Sequence, residues 1–92
     1  MLAPEARPRL AAKVRLRHDR ISGRTLLLYP ERGLALNATG AEIVSLCTGD
    51  NSVADIVGVL LAEYGTHGDM TAEVRRFLES LAERGLLLSH DP

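Results

Sequence analysis

Aromatic side chains are scarce in this sequence: two Tyr, one Phe and no Trp, so any core it builds must be aliphatic. Cysteine is scarcer still. A single Cys47 excludes an intramolecular disulfide and a thiolate metal site, and makes a reducing cytoplasm the simplest setting. Long apolar runs are missing too: the longest, Ile56 to Ala62, falls far short of the ~20 residues a membrane-spanning helix needs. The opening Met1-Leu2-Ala3-Pro4-Glu5 lacks the charged-then-apolar layout of a secretory signal. His18, His67 and His90 have no partner at metal-ligand spacing, and no glycine-rich phosphate loop is present. Cys47 falls on an apolar helical stripe, where it reads as a small hydrophobe rather than a nucleophile. Nothing here assembles the convergent groups that catalysis requires. No enzyme, metal or cofactor is expected.

What is present is the composition of one small globular domain: 92 residues, 46% apolar and 25% charged. The net charge of -1 conceals an asymmetry. Residues 1–32 carry eight cations against three carboxylates, and residues 33–92 carry three against nine. The first part can therefore attract an acidic partner, unless the two parts fold together and compensate.

Residues 1–12, with Pro4 and Pro8, read as a flexible arm ahead of a single domain over 13–88. Lys13 to His18 alternates charged and apolar residues at the period of a half-buried strand. Asp19 to Arg24 is turn-rich, and Thr25 to Tyr29 is a second strand. Pro30-Glu31-Arg32-Gly33 fits a type I turn into a short third strand, Leu34 to Asn37. The period then changes. Thr39 and Glu42 have capping-box spacing ahead of Ile43, Leu46 and Cys47, with Gly49 as a stop. Ser52 and Asp55 cap a second helix with the stripe Val53, Ile56, Val57, Leu60, Leu61 and Tyr64, ended by Gly65. Asp69 caps a third, with the stripe Met70, Val74, Phe77, Leu78 and Leu81, closed by Gly85 before the extended Leu86-Leu87-Leu88.

The expected fold is α+β and winged-helix-like: a three-stranded antiparallel sheet followed by three helices on one side. Such a sheet has two edges, and an uncovered edge can accept an extended peptide as a further strand. Alternatively, the third strand's edge is covered by helix three or by a second copy of the chain. A winged-helix DNA-binding regulator is the alternative function. Against it, the third helix sets Asp69, Glu73, Glu79 and Glu83 against Arg75, Arg76 and Arg84, a balance that repels phosphate as much as it attracts it.

The sequence also resembles the PqqD family along about residues 8 to 88. The resemblance is carried by Pro8-Arg9-Leu10, Val14 to Asp19, Leu27-Leu28-Tyr29-Pro30-Glu31-Arg32-Gly33 with Leu36-Asn37, and Ile43-x-x-Leu46-Cys47-x-Gly49. Further pieces are Ser52-Val53-x-x-Ile56, Leu61-x-x-Tyr64 and Val74 through Leu81 to Gly85-Leu86. It implies a cytoplasmic peptide chaperone of pyrroloquinoline quinone (PQQ) biosynthesis. Such a chaperone binds the precursor peptide PqqA by strand addition and presents it to PqqE, a radical S-adenosylmethionine enzyme that crosslinks a Glu and a Tyr of the peptide. Carried over, the peptide-binding residues are Leu34, Ala35, Leu36 and Asn37 on the strand and Arg75, Leu78, Glu79 and Ala82 on the third helix. The partners implied are PqqA and PqqE, with neither nucleic acid nor membrane. Exchange of the N-terminal hairpin through a hinge such as 30–33 offers a route to a homodimer. The Gly65-Thr66-His67-Gly68 loop departs from the family pattern and leaves the start of helix three open.

Overall fold

Period-two alternation, three capping side chains and the pairing of the first strand with the last set the architecture. The computed structural model describes residues 2–30, 32–65 and 69–90. The elements run β1 (Arg7–Leu10), β2 (Arg15–His18), β3 (Thr25–Tyr29), β4 (Arg32–Leu36), α1 (Ala38–Ser45), α2 (Val53–Tyr64), α3 (Met70–Glu83) and β5 (Leu87–His90). β2, β3 and β4 form an antiparallel sheet with β3 in the middle, as the alternation predicts. Leu16, Leu27 and Leu34 face each other across the strands, and Leu27 is fully buried, so this row defines the inner face. α1 touches all three strands from that side. Ile56 and Leu60 of α2 and Val74, Leu78 and Leu81 of α3 complete an aliphatic core with Leu27. Each such side chain contributes roughly 1.5–3 kcal/mol by leaving water.

Ser52 and Asp55 cap α2 reciprocally, Ser52 Oγ accepting from Asp55 N at 3.0 Å and Asp55 Oδ2 from Ser52 N at 2.9 Å. These bonds hold the Asp55 carboxyl below its usual range. Asp69 caps α3 by accepting from Ala72 N. Gly65 and Gly85, with φ of 77° and 76°, follow α2 and α3 in the left-handed region.

Four expectations need correction. Asn37 is not strand: its Oδ1 accepts from Gly40 N at 2.7 Å and caps α1, two residues ahead of the Thr39–Glu42 box. Glu42 instead accepts the Tyr64 hydroxyl at 3.0 Å, which raises the Tyr64 pKa. α1 ends at Ser45, and Gly49 lies beyond it with φ of 89°, its N–H donating to the Pro8 carbonyl. Both strand starts also shift. β2 begins at Arg15, because Val14 N closes a turn on Ala11 O. β4 begins at Arg32 rather than Leu34, because Arg32 and Gly33 already pair with Tyr29 and Leu28 instead of forming a type I turn.

The fourth correction is the largest. The first twelve residues are not a loose arm: β1 pairs antiparallel with β5 in a second, two-stranded sheet. Leu2, Ala6 and Pro8 are buried. The first free N–H groups of α2, on Val53 and Ala54, donate to the carbonyls of Ala6 and Pro4 at 2.9 Å each. Pro8 fits a strand because Ala11 N bonds Leu86 O, which fixes Arg9–Leu88 as a hydrogen-bonded pair and turns the Pro8 nitrogen away from β5. Of the sequence features singled out above, Glu31 and the loop residues 66–68, with His67, lie outside the described residues.

Candidate functional site

Sheet register decides which backbone groups are free. Asp19 N donates to Arg24 O at 2.7 Å, so 19–24, 17–26 and 15–28 are the hydrogen-bonded pairs of the β2–β3 ladder. Leu26 and Leu28 therefore bond toward β2, while Thr25, Leu27 and Tyr29 bond toward β4. Their partners across β4 are Leu36, Leu34 and Arg32. It follows that the N–H and C=O groups of Gly33 and Ala35 point away from the sheet, along the outer edge of β4. Gly33 and Ala35 are exposed, whereas Leu34 and Leu36 are half-buried against the core. Among the described residues no strand lies along that edge.

At its Asn37 end the edge runs into a cleft of about 270 Å³ between the start of α1 and the first half of α3. Asn37, Thr39, Gly40 and Ile43 form one wall and Met70, Glu73, Val74 and Phe77 the other. Gly40 is buried, and a Cβ there would lie 3.0 Å from Asn37 Oδ1 and 3.4 Å from Phe77 Cζ, so the missing side chain keeps the floor open. The Phe77 ring and Met70 are half-buried, apolar and adaptable in shape. Glu73 is exposed at the mouth.

The strand half of the expected site is thus brought together with a cleft, whereas the four expected helix residues lie outside that cleft. Leu78 is fully buried core, so truncating it to Ala would cost about 2–5 kcal/mol of stability. Arg75 and Glu79 lie on the opposite flank of α3, where they clamp the N-terminal backbone. Arg75 Nη2 donates to Leu2 O at 2.8 Å, and Glu79 Oε2 accepts from Leu2 N at 3.2 Å. Ala82 lines a hollow of about 520 Å³ with Leu2, Glu79, Glu83 and Ser89. That hollow is larger than the cleft, but two carboxylates line it and the β4 edge does not reach it. Helical spacing holds the answer: Glu73 and Phe77 lie one turn apart on one flank, and Arg75, Glu79 and Ala82 share the other.

Among the described residues no group of His, Cys, Asp and Glu could hold a metal ion, and no helix is long and apolar enough to cross a membrane. Burial pushes the Cys47 thiol up to about 12, which leaves it protonated and unreactive near neutrality.

The architecture is that of the recognition elements for ribosomally synthesized and post-translationally modified peptides (RiPPs). The solution structure of the PqqD truncation of Methylobacterium extorquens PqqCD, a stand-alone RiPP recognition element, is similar at TM-score 0.72 and 32% identity. The match covers 88% of this chain and 87% of that one. TbiB1 in complex with the TbiA(beta) leader peptide is similar at TM-score 0.72 and 26% identity, over 91% of this chain and 99% of that one. A PqqA binding protein of Rhodopseudomonas palustris strain HaA2 is 36% identical over 94% of this chain and 85% of its own length. One of Methylococcus capsulatus is 33% identical over 91% of this chain and 89% of its own. The family model for coenzyme PQQ synthesis protein D (PqqD) matches residues 24–87. The chain belongs to the PqqD family.

Proposed function

We propose that this chain is a non-catalytic peptide chaperone of PQQ biosynthesis in the cytoplasm. It holds the precursor peptide PqqA as a fourth strand on β4 and presents it to PqqE. The reading is carried by the outward backbone groups of Gly33 and Ala35 beside an apolar cleft. Two donors and two acceptors at strand spacing give an extended peptide affinity without selectivity, and the cleft adds selectivity by admitting an apolar side chain at one position. The relatives named PqqA binding protein and the leader-peptide complex of TbiB1 support the same choice of guest. The helix residues proposed for the site are Met70, Glu73 and Phe77, with Leu34, Leu36 and Asn37 shaping the strand side.

An isotope-edited NMR titration with PqqA tests this. Amide shifts are expected to cluster on residues 33–37 and around 70, 73 and 77. Shifts confined to residues 75, 79 and 82, or none at saturating peptide, would sink it.

A further inference from the structure

The sheet has a second edge, and its chemistry is unlike the first. All four residues of β2 are exposed, including Leu16, and β2 lies at the sheet margin opposite β4. On the sheet's outer face the register sets Arg15 beside Leu28 and Arg17 beside Leu26. Leu26 and Leu28 are half-buried, and shallow hollows on either side of Arg15 reach Leu28. The β2–β3 turn carries Ile21, 98% exposed, between Arg20 and Arg24. This turn is ordered: Asp19 accepts from Ile21 N at 3.1 Å and from Ser22 Oγ at 2.8 Å, so the tip is held out rather than collapsed. From residue 13 to 32 the sequence has six cations against Asp19 and Glu31.

We infer that this face, Arg15 and Arg17 around Leu26 and Leu28 with Ile21 at its tip, docks an acidic protein surface with an apolar centre. Under the proposed function, on which this inference rests, that surface belongs to the enzyme that modifies the bound peptide. Its charge sign selects an acidic partner, and steering by several cations acts over about one Debye length, roughly 8 Å in physiological salt. The leucines and Ile21 favour protein over nucleic acid, because apolar side chains gain from burial against another apolar surface and nothing from phosphate. Placement does the rest. Only β3 lies between β2 and β4, so a peptide on the β4 edge and an enzyme on the β2 face are held simultaneously and close together.

The full chain is titrated separately with PqqA and with the cognate PqqE. Arg15→Glu/Arg17→Glu is expected to weaken PqqE binding by about tenfold or more and to leave the PqqA affinity within about twofold. In the same variant the salt dependence of PqqE association flattens. Ile21→Ser, which touches no strand, is expected to weaken PqqE binding in the same direction. The control Arg7→Glu/Arg9→Glu changes net charge equally on β1 and leaves PqqE binding intact. Unchanged PqqE affinity in the β2 double variant overturns the inference, as does an equal loss in the control or wild-type protein that binds PqqA but not PqqE. Salt-sensitive binding of random duplex DNA that disappears in the β2 variant overturns it in favour of a nucleic acid. Wild-type protein that fails to bind PqqA removes the peptide-holding reading itself, and this inference with it.

Discussion

Two neighbouring prolines separate strand addition from every other way of holding a peptide. Ala35→Pro removes an N–H that points out of the sheet, so no β3–β4 bond is lost, and Leu34 before it is already extended. The fold should survive with a stability change within about 1 kcal/mol. A guest strand, however, loses one N–H donor, about 0.5–1.5 kcal/mol, and also meets the ring Cδ where its carbonyl would sit. Together these should lower PqqA affinity by about tenfold or more, since 1.4 kcal/mol is already one decade. Leu36→Pro, one residue on, does the opposite. Its N–H faces Thr25 inside the ladder, and its half-buried side chain packs on the core, so the substitution should cost about 3 kcal/mol or more and melt the hairpin. Fluorescence anisotropy of labelled PqqA gives affinity, and thermal unfolding followed by circular dichroism gives stability. A folded Ala35→Pro protein that binds PqqA like wild type refutes the strand-addition reading. A harmless Leu36→Pro refutes the register from which it was derived.

Other consequences are simpler to read. Gly40→Ala places a methyl against Asn37 Oδ1 and Phe77 Cζ, so the up to ~1 kcal/mol of helix propensity it gains is offset by crowding. Stability should stay near wild type in a urea titration while PqqA binding weakens. Arg75→Ala releases the Leu2 carbonyl and should cost about 1 kcal/mol of stability, with PqqA affinity unchanged by calorimetry. A drop in affinity would return α3's other flank to the site. Burial raises the Cys47 pKa from 9.0 to about 12, so the folded state keeps a proton that the unfolded state releases. That contribution is complete below pH ~9 and is lost as the pH rises toward ~12. Over that window Cys47→Ala should flatten the decline of stability with pH, measured by denaturant unfolding.

The central hairpin was legible because its signals are local. Asp19 and Gly23 define a turn, Thr25 to Tyr29 is a run of strand formers, and the cap residues Ser52 and Asp69 act within four positions of themselves. β1 was not legible, because nothing local orders it. Pro4 and Pro8 lower the apparent strand character of residues 4–11, and the hydrogen bonds of Pro4, Ala6, Pro8 and Ala11 go to Ala54, Val53, Gly49 and Leu86, all far away in sequence. Asn37 was misread for a related reason. It extends the strand pattern and caps the helix equally well on paper, and only the 2.7 Å bond to Gly40 N decides. On α3 the stripe gave the buried face correctly. Which flank faces β4 depends on where the N-terminal segment docks, so a reading that leaves β1 out cannot tell that Arg75 and Glu79 meet Leu2 and that Ala82 lies on their flank.

That dependence also explains how the β4 edge keeps no neighbouring strand among the described residues. The spare extended segments, β1 and β5, pair with each other on the far flank of α3 instead of capping the sheet. An open edge invites self-pairing, and three features oppose it here. β4 has five residues, which limits the bonds a second copy could add. Arg32 begins β4, and Pro30 precedes it without an N–H to give. At the other end Asn37 turns the chain into α1, so two copies in register would meet helix rather than strand. A thin peptide can follow the edge past Asn37 into the cleft between Gly40 and Phe77, where a folded domain cannot go. Under the proposed function, the same geometry that opposes pairing with a second copy would therefore favour an extended guest.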